Sequence, residues 1–345
     1  MKKKSIQFVS GIVGMLFAVA ASAVEPPNVV TTIPVGVSPS RAVITPNNQE
    51  VYVTNNGDDT VSVIRSGDLT VKTVVPVGSQ PDAIAVSPDG KSVYVGQHGG
   101  DISRITTSNK SVTTIPIGAP VRDLALSPDG TKLLVAMEFG GLKVVDTSTL
   151  AVSTVNSTAC PEAVVFTPDG AKAYVNYQCA PSPGSGGHDP IYVFDGMNLS
   201  FKSAIAFLPD GTRMANVGSP TSVSPDGQQV WANGGDSCIN YDLVGCPAAP
   251  AGVINVIRTY DNSVIKTLAF PNLGVGHITL SPLNTYAMVA HGSDLLFINT
   301  KSFVTSASLP IAASGYVAVT HCGTRGFAPI PGQNEVAVLR LPLKL

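Results

Sequence analysis

Ser87-Pro88-Asp89-Gly90, Ser127-Pro128-Asp129-Gly130, Thr167-Pro168-Asp169-Gly170 and Ser224-Pro225-Asp226-Gly227 are copies of one tetrapeptide, and their spacing decides the fold. Decayed copies stand at Thr45-Pro46-Asn47-Asn48, Ser281-Pro282-Leu283-Asn284 and Thr320-His321-Cys322-Gly323. The intervals between first residues are 42, 40, 40, 57, 57 and 39, which makes seven units of about 40 residues, two of them enlarged. A fixed period of that length is a repeat architecture, in which each unit buries its apolar face only against its neighbours.

The second unit shows what one period encodes. Asp82 to Ser87 and Lys91 to Gln97 both alternate in polarity and flank a Pro-Asp-Gly turn. Proline presets φ, aspartate bonds to nearby backbone, and glycine accepts the positive φ of a tight hairpin. Beyond the polar break His98-Gly99-Gly100, Asp101 to Ile105 and Ser111 to Ile117 extend the pattern around a turn at Ser108-Asn109. Each unit therefore reads as four short antiparallel strands, A to D. Seven such units predict an all-β, seven-bladed β-propeller. One strand B column, Tyr52, Tyr94, Leu134, Tyr174, Trp231, Met288 and Phe327, is large enough to fill the gap between blades. Strand A is small in places, as at Ala83, Ala85 and Ala163, which suits a crowded axis. The last unit ends with a strand C, Glu335 to Leu341, while Val29 to Gly36 nearly duplicates the strand D of Ser111 to Gly118. The N-terminal strand is thus expected to complete the last blade and close the ring, which removes the open edges.

The segments Val51-Tyr52-Val53-Thr54-Asn55, Val93-Tyr94-Val95 and Ala173-Tyr174-Val175-Asn176, set among the recurring Ser-Pro-Asp-Gly turns, resemble the YVTN-type propeller repeat family. That family includes periplasmic YncE-like proteins and archaeal surface-layer proteins. The resemblance spans essentially the whole chain after the leader. It implies the blade and leaves the activity open, because the same blade serves binding proteins, lactonases and redox-associated subunits. No Trp-Asp pair closes any unit, so the WD40 signature is absent.

Lys2-Lys3-Lys4, the apolar run Ile12 to Ala20 and Ala21-Ser22-Ala23 read as a secretory signal peptide over residues 1–23, followed by one domain over 24–345. A periplasmic or secreted location is expected, with no membrane span. Loss of the three leader lysines takes Lys+Arg from 21 to 18 against 23 Asp+Glu, a net charge of −5, which offers no basic footprint for nucleic acid. Five cysteines in an exported chain suggest disulfides. Propeller connectivity puts the D-to-A and B-to-C loops on one face, here the upper face. Cys160 and Cys179 share that face within one blade, and Cys238 and Cys246 within the next, so these two pairs are the expected bridges, with Cys322 left over on the lower face.

The same face collects the candidate functional groups. Both long insertions, Gln178 to Asp189 and Gly235 to Ala251, join a strand B to a strand C. His98, His188, His277 and His291 map there and are the candidates for a metal. No cofactor is expected, though a divalent cation is compatible with these imidazoles. Arg41, Asp82, Arg122, Asp123, Glu162 and Tyr316 head the inner strands with His277, forming a ring of opposed charges at the channel mouth. The ring reads either as a site for an anionic or polar small molecule, with Glu162 or His277 as general base, or as ion pairs that hold blades together. Two functions follow. One is an exported, monomeric, non-catalytic scaffold whose upper loops bind an envelope or extracellular protein or a small polar ligand. The alternative is an enzyme of lactonase or lyase type, supported by Glu162, Asn176, Asn233, His277 and His291. Phosphate-loop, haem-attachment and nucleophile-elbow motifs are all missing.

Overall fold

Alternating apolar residues bounded by turn residues fold as the pattern predicts. A computed structural model describes residues 25–157, 160–179, 191–205, 221–235, 252–270 and 275–343. The leader, His188, Cys238, Cys246 and nearly all of both insertions lie outside the described residues.

The chain enters through β1 (Asn28–Pro34). Blade 1 follows as β2 (Pro39–Ile44), β3 (Glu50–Asn55), β4 (Thr60–Arg65) and β5 (Thr70–Pro76). Blade 2 is β6 (Pro81–Val86), β7 (Ser92–Gln97), β8 (Asp101–Thr106) and β9 (Val112–Pro116). Blade 3 is β10 (Val121–Leu126), β11 (Lys132–Met137), β12 (Leu142–Asp146) and β13 (Val152–Asn156). Blade 4 is β14 (Cys160–Phe166), β15 (Lys172–Cys179), β16 (Ile191–Asp195) and β17 (Phe201–Ile205). Blade 5 is β18 (Thr221–Val223), β19 (Gln229–Gly235), β20 (Gly252–Arg258) and β21 (Ser263–Phe270). Blade 6 is β22 (Val275–Leu280), β23 (Tyr286–His291), β24 (Asp294–Asn299) and β25 (Thr305–Leu309). Blade 7 holds β26 (Ala318–Val319), β27 (Arg325–Ile330) and β28 (Glu335–Arg340), and β1 pairs antiparallel with β28 as its fourth strand. The ring is closed by the N-terminal strand.

Seven apolar clusters sit one at each junction between neighbouring blades. The large strand B side chains are their centres: Tyr52, Leu134, Tyr174, Trp231, Met288 and Phe327 are fully buried and Tyr94 nearly so. Tyr52, for example, packs with Val61 and Val63 of its own blade against Val93 and Val95 of the next. Such burial contributes about 1.5–3 kcal/mol per large side chain.

The lower face is set by the tetrapeptide. Ser87 Oγ donates to Asp89 Oδ1 at 2.6 Å, the Lys91 N–H donates to the same oxygen at 3.0 Å, and the Gly90 N–H reaches the Ser87 carbonyl at 2.8 Å. Gly90 holds φ 70°, which a side chain resists, and a Cβ there would stand 3.2 Å from Pro46 of the preceding blade. The proline of one turn therefore rests against the glycine of the next. A second device was not read from the sequence: a hydroxyl in the C-to-D turn caps the A-to-B turn. Thr107, Thr147 and Thr259 donate to the carbonyls of Gly90, Gly130 and Gly227 at 2.8, 2.6 and 2.6 Å.

Candidate channel-mouth site

The inner strands bring the ring residues together by a shared irregularity. The register slips near the upper end of β2, β6, β10, β14 and β22, between Pro39 and Ala42, Pro81 and Ile84, Val121 and Asp123, Pro161 and Ala163, and Val275 and Ile278. A bulge re-aims the side chains beside it. Two tiers result. Arg41, Asp123, His277 and Tyr316 form the deeper tier, while Asp82, Arg122 and Glu162 form the outer one. Side-chain exposure agrees, at 7% for Arg41 and 13% for Asp123 against 26% for Asp82 and 32% for Arg122.

Arg41 reaches beyond its neighbouring blade. From blade 1, its Nη1 donates to Asp123 Oδ1 in blade 3 at 2.6 Å, and its Nη2 donates to Asp82 Oδ2 in blade 2 at 3.1 Å and to the Arg122 carbonyl at 2.8 Å. Its Cζ lies 3.9 Å from the centre of the Tyr316 ring in blade 7, and that ring rests on His277 in blade 6. Asp123 Oδ2 also accepts the Val164 N–H of blade 4 at 3.0 Å. A single guanidinium thus ties blade 1 to blades 2, 3 and 7.

Burial and charge compete here. Burial pulls the Arg41 pKa down, but the two carboxylates outweigh it and hold it above its ordinary value. Burial also opposes ionisation of Asp82, yet Arg41 and the Ser40 hydroxyl carry its pKa below the carboxylate range. For the deeper Asp123, burial prevails over Arg41 and two backbone N–H groups and the pKa rises. Burial, reinforced by Arg41, drives the His277 pKa well below the imidazole range, so the ring is neutral at pH 7.

Sequence reasoning missed Glu138. It forms an ion pair with Arg122 at 2.9 Å and follows the strand B of blade 3 as His98 follows that of blade 2, a positional signal the column reading contained. On blades 1 to 4 the upper-face carboxylates Asp58, Asp59, Asp82, Asp101, Asp123, Glu138 and Glu162 outnumber Arg41, Arg122 and Lys143. Among the described residues Arg41 and Arg122 are each already paired with carboxylates.

Of the candidate metal ligands, His98, His277 and His291 are among the described residues and His188 is not. His98 lies within electrostatic reach of Asp82, His277 is covered by Tyr316, and His291 stands against Phe270 at 5.5 Å. Among the described residues no three His, Cys, Asp or Glu side chains converge. Asn233, from the enzyme-like set, clamps blade 5 to blade 6 by donating to the Val275 and Gly276 carbonyls. Asn176 is fully buried in β15, and Glu162 is partly exposed. Cys160 stands directly opposite Cys179 across β14 and β15. Cys322 is a free thiol on the lower face, its pKa lowered to about 7 by hydrogen bonds with the Thr320 and Thr324 hydroxyls.

These features define a seven-bladed β-propeller with a cluster of ion pairs at the heads of its inner strands. No protein-family model matches the chain, and no curated protein sequence matches it either. Among solved structures, it is similar to Kuenenia stuttgartiensis hydrazine synthase, with TM-score 0.72 and 17% identity over 88% of this chain and 95% of that one. It is also similar to the Cps50 (Swd1) β-propeller domain of Myceliophteria thermophila, with TM-score 0.70 and 12% identity over 92% of this chain and 100% of that one. At such identities the likeness is one of fold.

Proposed function

We propose that the chain is an exported propeller of the YVTN type. Its upper-face loops bind a protein partner of the envelope or exterior, or a small polar ligand, and it performs no chemistry itself. One observation carries the reading: the charged groups Arg41, Asp82, Asp123, Arg122 and Glu138 at the channel level are paired with one another. Arg41 of blade 1 holds Asp82 and Asp123 of blades 2 and 3, Arg122 holds Glu138 within blade 3, and His277 lies under Tyr316. A catalytic constellation needs groups that face a substrate, whereas these face each other. The excess of carboxylates favours a neutral or cationic partner over an anionic one, and Phe139, 64% exposed beside Glu138, offers an apolar contact on the same face. The leader supports export, and the opposed positions of Cys160 and Cys179 support a bridge between them.

The test places a photo-crosslinking residue at position 139 on the upper face and, separately, at position 91 on the lower face. Crosslinking in the producing cell is expected to give a discrete adduct from 139 and none from 91. Identical patterns from both faces overturn the reading. So does hydrolysis of a lactone panel that disappears in Glu162→Gln while folding is intact.

A further inference from the structure

Blade 4 departs from the repeat on its outer wall. Tyr177, Tyr192, Phe201 and Phe194 form one ladder of rings: Tyr177 to Tyr192 at 4.7 Å, Tyr192 to Phe201 at 5.5 Å with planes at 76°, and Phe194 to Phe201 at 6.1 Å with planes at 78°. The other six blades supply an internal control, because strand register equates their residues with these. The position of Tyr192 is Ser62, Ser103, Lys143, Asn255, Leu296 and Ala337 elsewhere. Phe194 corresponds to Ile64, Ile105, Val145, Ile257, Ile298 and Leu339. Phe201 corresponds to Val29, Val71, Val112, Val152, Val264 and Thr305. The scaffold is satisfied six times without a ring at any of these three places. Tyr177 and Phe194 belong to the buried cluster between blades 3 and 4 and Tyr192 packs against it, so the ring that blade packing leaves unexplained is the exposed Phe201, with the open part of Tyr192 beside it.

They line a groove. It runs along the side wall between β13 of blade 3 and β16 and β17 of blade 4, with a volume of about 760 Å³. Phe201 is 59% exposed there and Tyr192 partly so, which leaves aromatic surface open to solvent. The polar side chains in the lining are Thr154, Asn156, Ser157 and Ser200, three hydroxyls and an amide, and no ionisable acid or base lines it other than the Tyr192 phenol.

We infer that this wall groove binds a neutral oligosaccharide. The lining selects that chemistry. A charged ligand would find no counter-ion, and a wholly apolar one would strip water from hydroxyls and an amide without replacing their hydrogen bonds. A sugar ring presents C–H bonds to an aromatic ring and hydroxyls to Thr, Ser and Asn side chains at the same time. Aromatic lining with a few convergent polar groups is the common make-up of small-molecule sites. The site is separate from the channel mouth and does not depend on how the upper face functions.

The test is calorimetric titration of the mature protein with cellohexaose, maltohexaose and N-acetylchitohexaose, with a Thr-Val-Thr-Val-Thr-Val peptide as the rival probe. At least one hexasaccharide is expected to bind. Its affinity should fall tenfold or more in Phe201→Ala, persist in Phe201→Tyr, and be unchanged in Val112→Ala, which alters the matching position of blade 2. In the wild-type protein, sugar protons should show magnetisation transfer with the Phe201 and Tyr192 rings, a reading that needs no variant to fold. Failure of all three sugars to bind, equal binding by wild type and a folded Phe201→Ala, or binding of the peptide in place of the sugars would overturn the inference.

Discussion

On the lower face the Ser87 turn is rebuilt at Ser127, Thr167 and Ser224 with hydroxyl-to-aspartate distances of 2.6, 2.6, 2.5 and 2.6 Å. On the upper face the matching inner positions Arg41, Asp123, His277 and Tyr316 share no residue type. The difference is one of range. The serine or threonine, aspartate and backbone bonds of a lower turn close within about five residues, so this part of each copy keeps the same chemistry. Arg41 finds Asp123 at a sequence separation of 82, and no blade can supply that pair from its own residues. Uniformity thus belongs to local hydrogen bonding, and individuality belongs to contacts made across the axis.

Removing residues 25–36 attacks the closure on which both faces depend. The outer edge of β28 would be left unpaired and the Ile33 contribution to the blade 7 and blade 1 cluster lost, so the truncated protein is expected to aggregate on expression. Soluble yield and light scattering measure it, and a truncation that melts like the intact domain would refute closure by this strand.

Arg41→Met tests the upper face alone. Two carboxylates would lose their shared cation in a buried setting, with an expected cost of about 3–5 kcal/mol in urea unfolding. Adding Asp82→Asn and Asp123→Asn should recover part of that loss. If Arg41→Met unfolds with the wild-type midpoint, the Arg41 ion pairs contribute nothing to stability.

Acid separates the faces by pH. His277 has a folded pKa depressed from 6.5, so the stability it contributes is complete above pH 6.5 and is lost as pH falls below that value. Asp129, Asp146 and Asp195 are held at about 2 from 3.8, chiefly by hydrogen bonds from Ser127, Ser148 and Lys202 respectively, so their contribution is complete above about pH 4 and disappears toward pH 2. The melting temperature is expected to decline in two stages. His277→Gln should flatten the stage below pH 6.5 and leave the one below pH 4 in place. A single decline common to both proteins would contradict the assignment.

Thr147→Val is the smallest change. It deletes one hydroxyl cap on the Gly130 carbonyl and should cost about 0.5–1.5 kcal/mol in urea unfolding. In blade 4 the corresponding place is Gly196, where a Cβ would fall 2.0 Å from the Gly170 carbonyl oxygen. A loss in Thr147→Val as large as that in Arg41→Met would erase the distinction between the faces.

Much of this was legible beforehand, and the reason differs from feature to feature. The tetrapeptide fixed turn position, blade count and the face on which each loop opens. The copy of a strand D at Val29 to Gly36 gave the closure, because identical blades require identical edges. The ring at the channel mouth was legible as a set of residues, since all head inner strands. Its two tiers were legible too, since Arg41, Asp123, His277 and Tyr316 stand four residues before their turns and Asp82, Arg122 and Glu162 five; the pairing of Arg41 with two other blades was not. Glu138 escaped for a related reason: it stands outside the alternating strand pattern. The wall groove was hidden because Tyr192, Phe194 and Phe201 read individually as ordinary strand residues.

The sequence by itself determined the seven four-stranded blades, their order and the point at which the ring closes, because these depend on hydrogen bonds and burial patterns repeated within each period. Only the tertiary structure decided that Arg41 binds Asp82 and Asp123 of two other blades and that three rings of blade 4 meet along one groove. Those contacts join residues whose separation in the chain carries no signal until the ring curls round and brings the blades side by side.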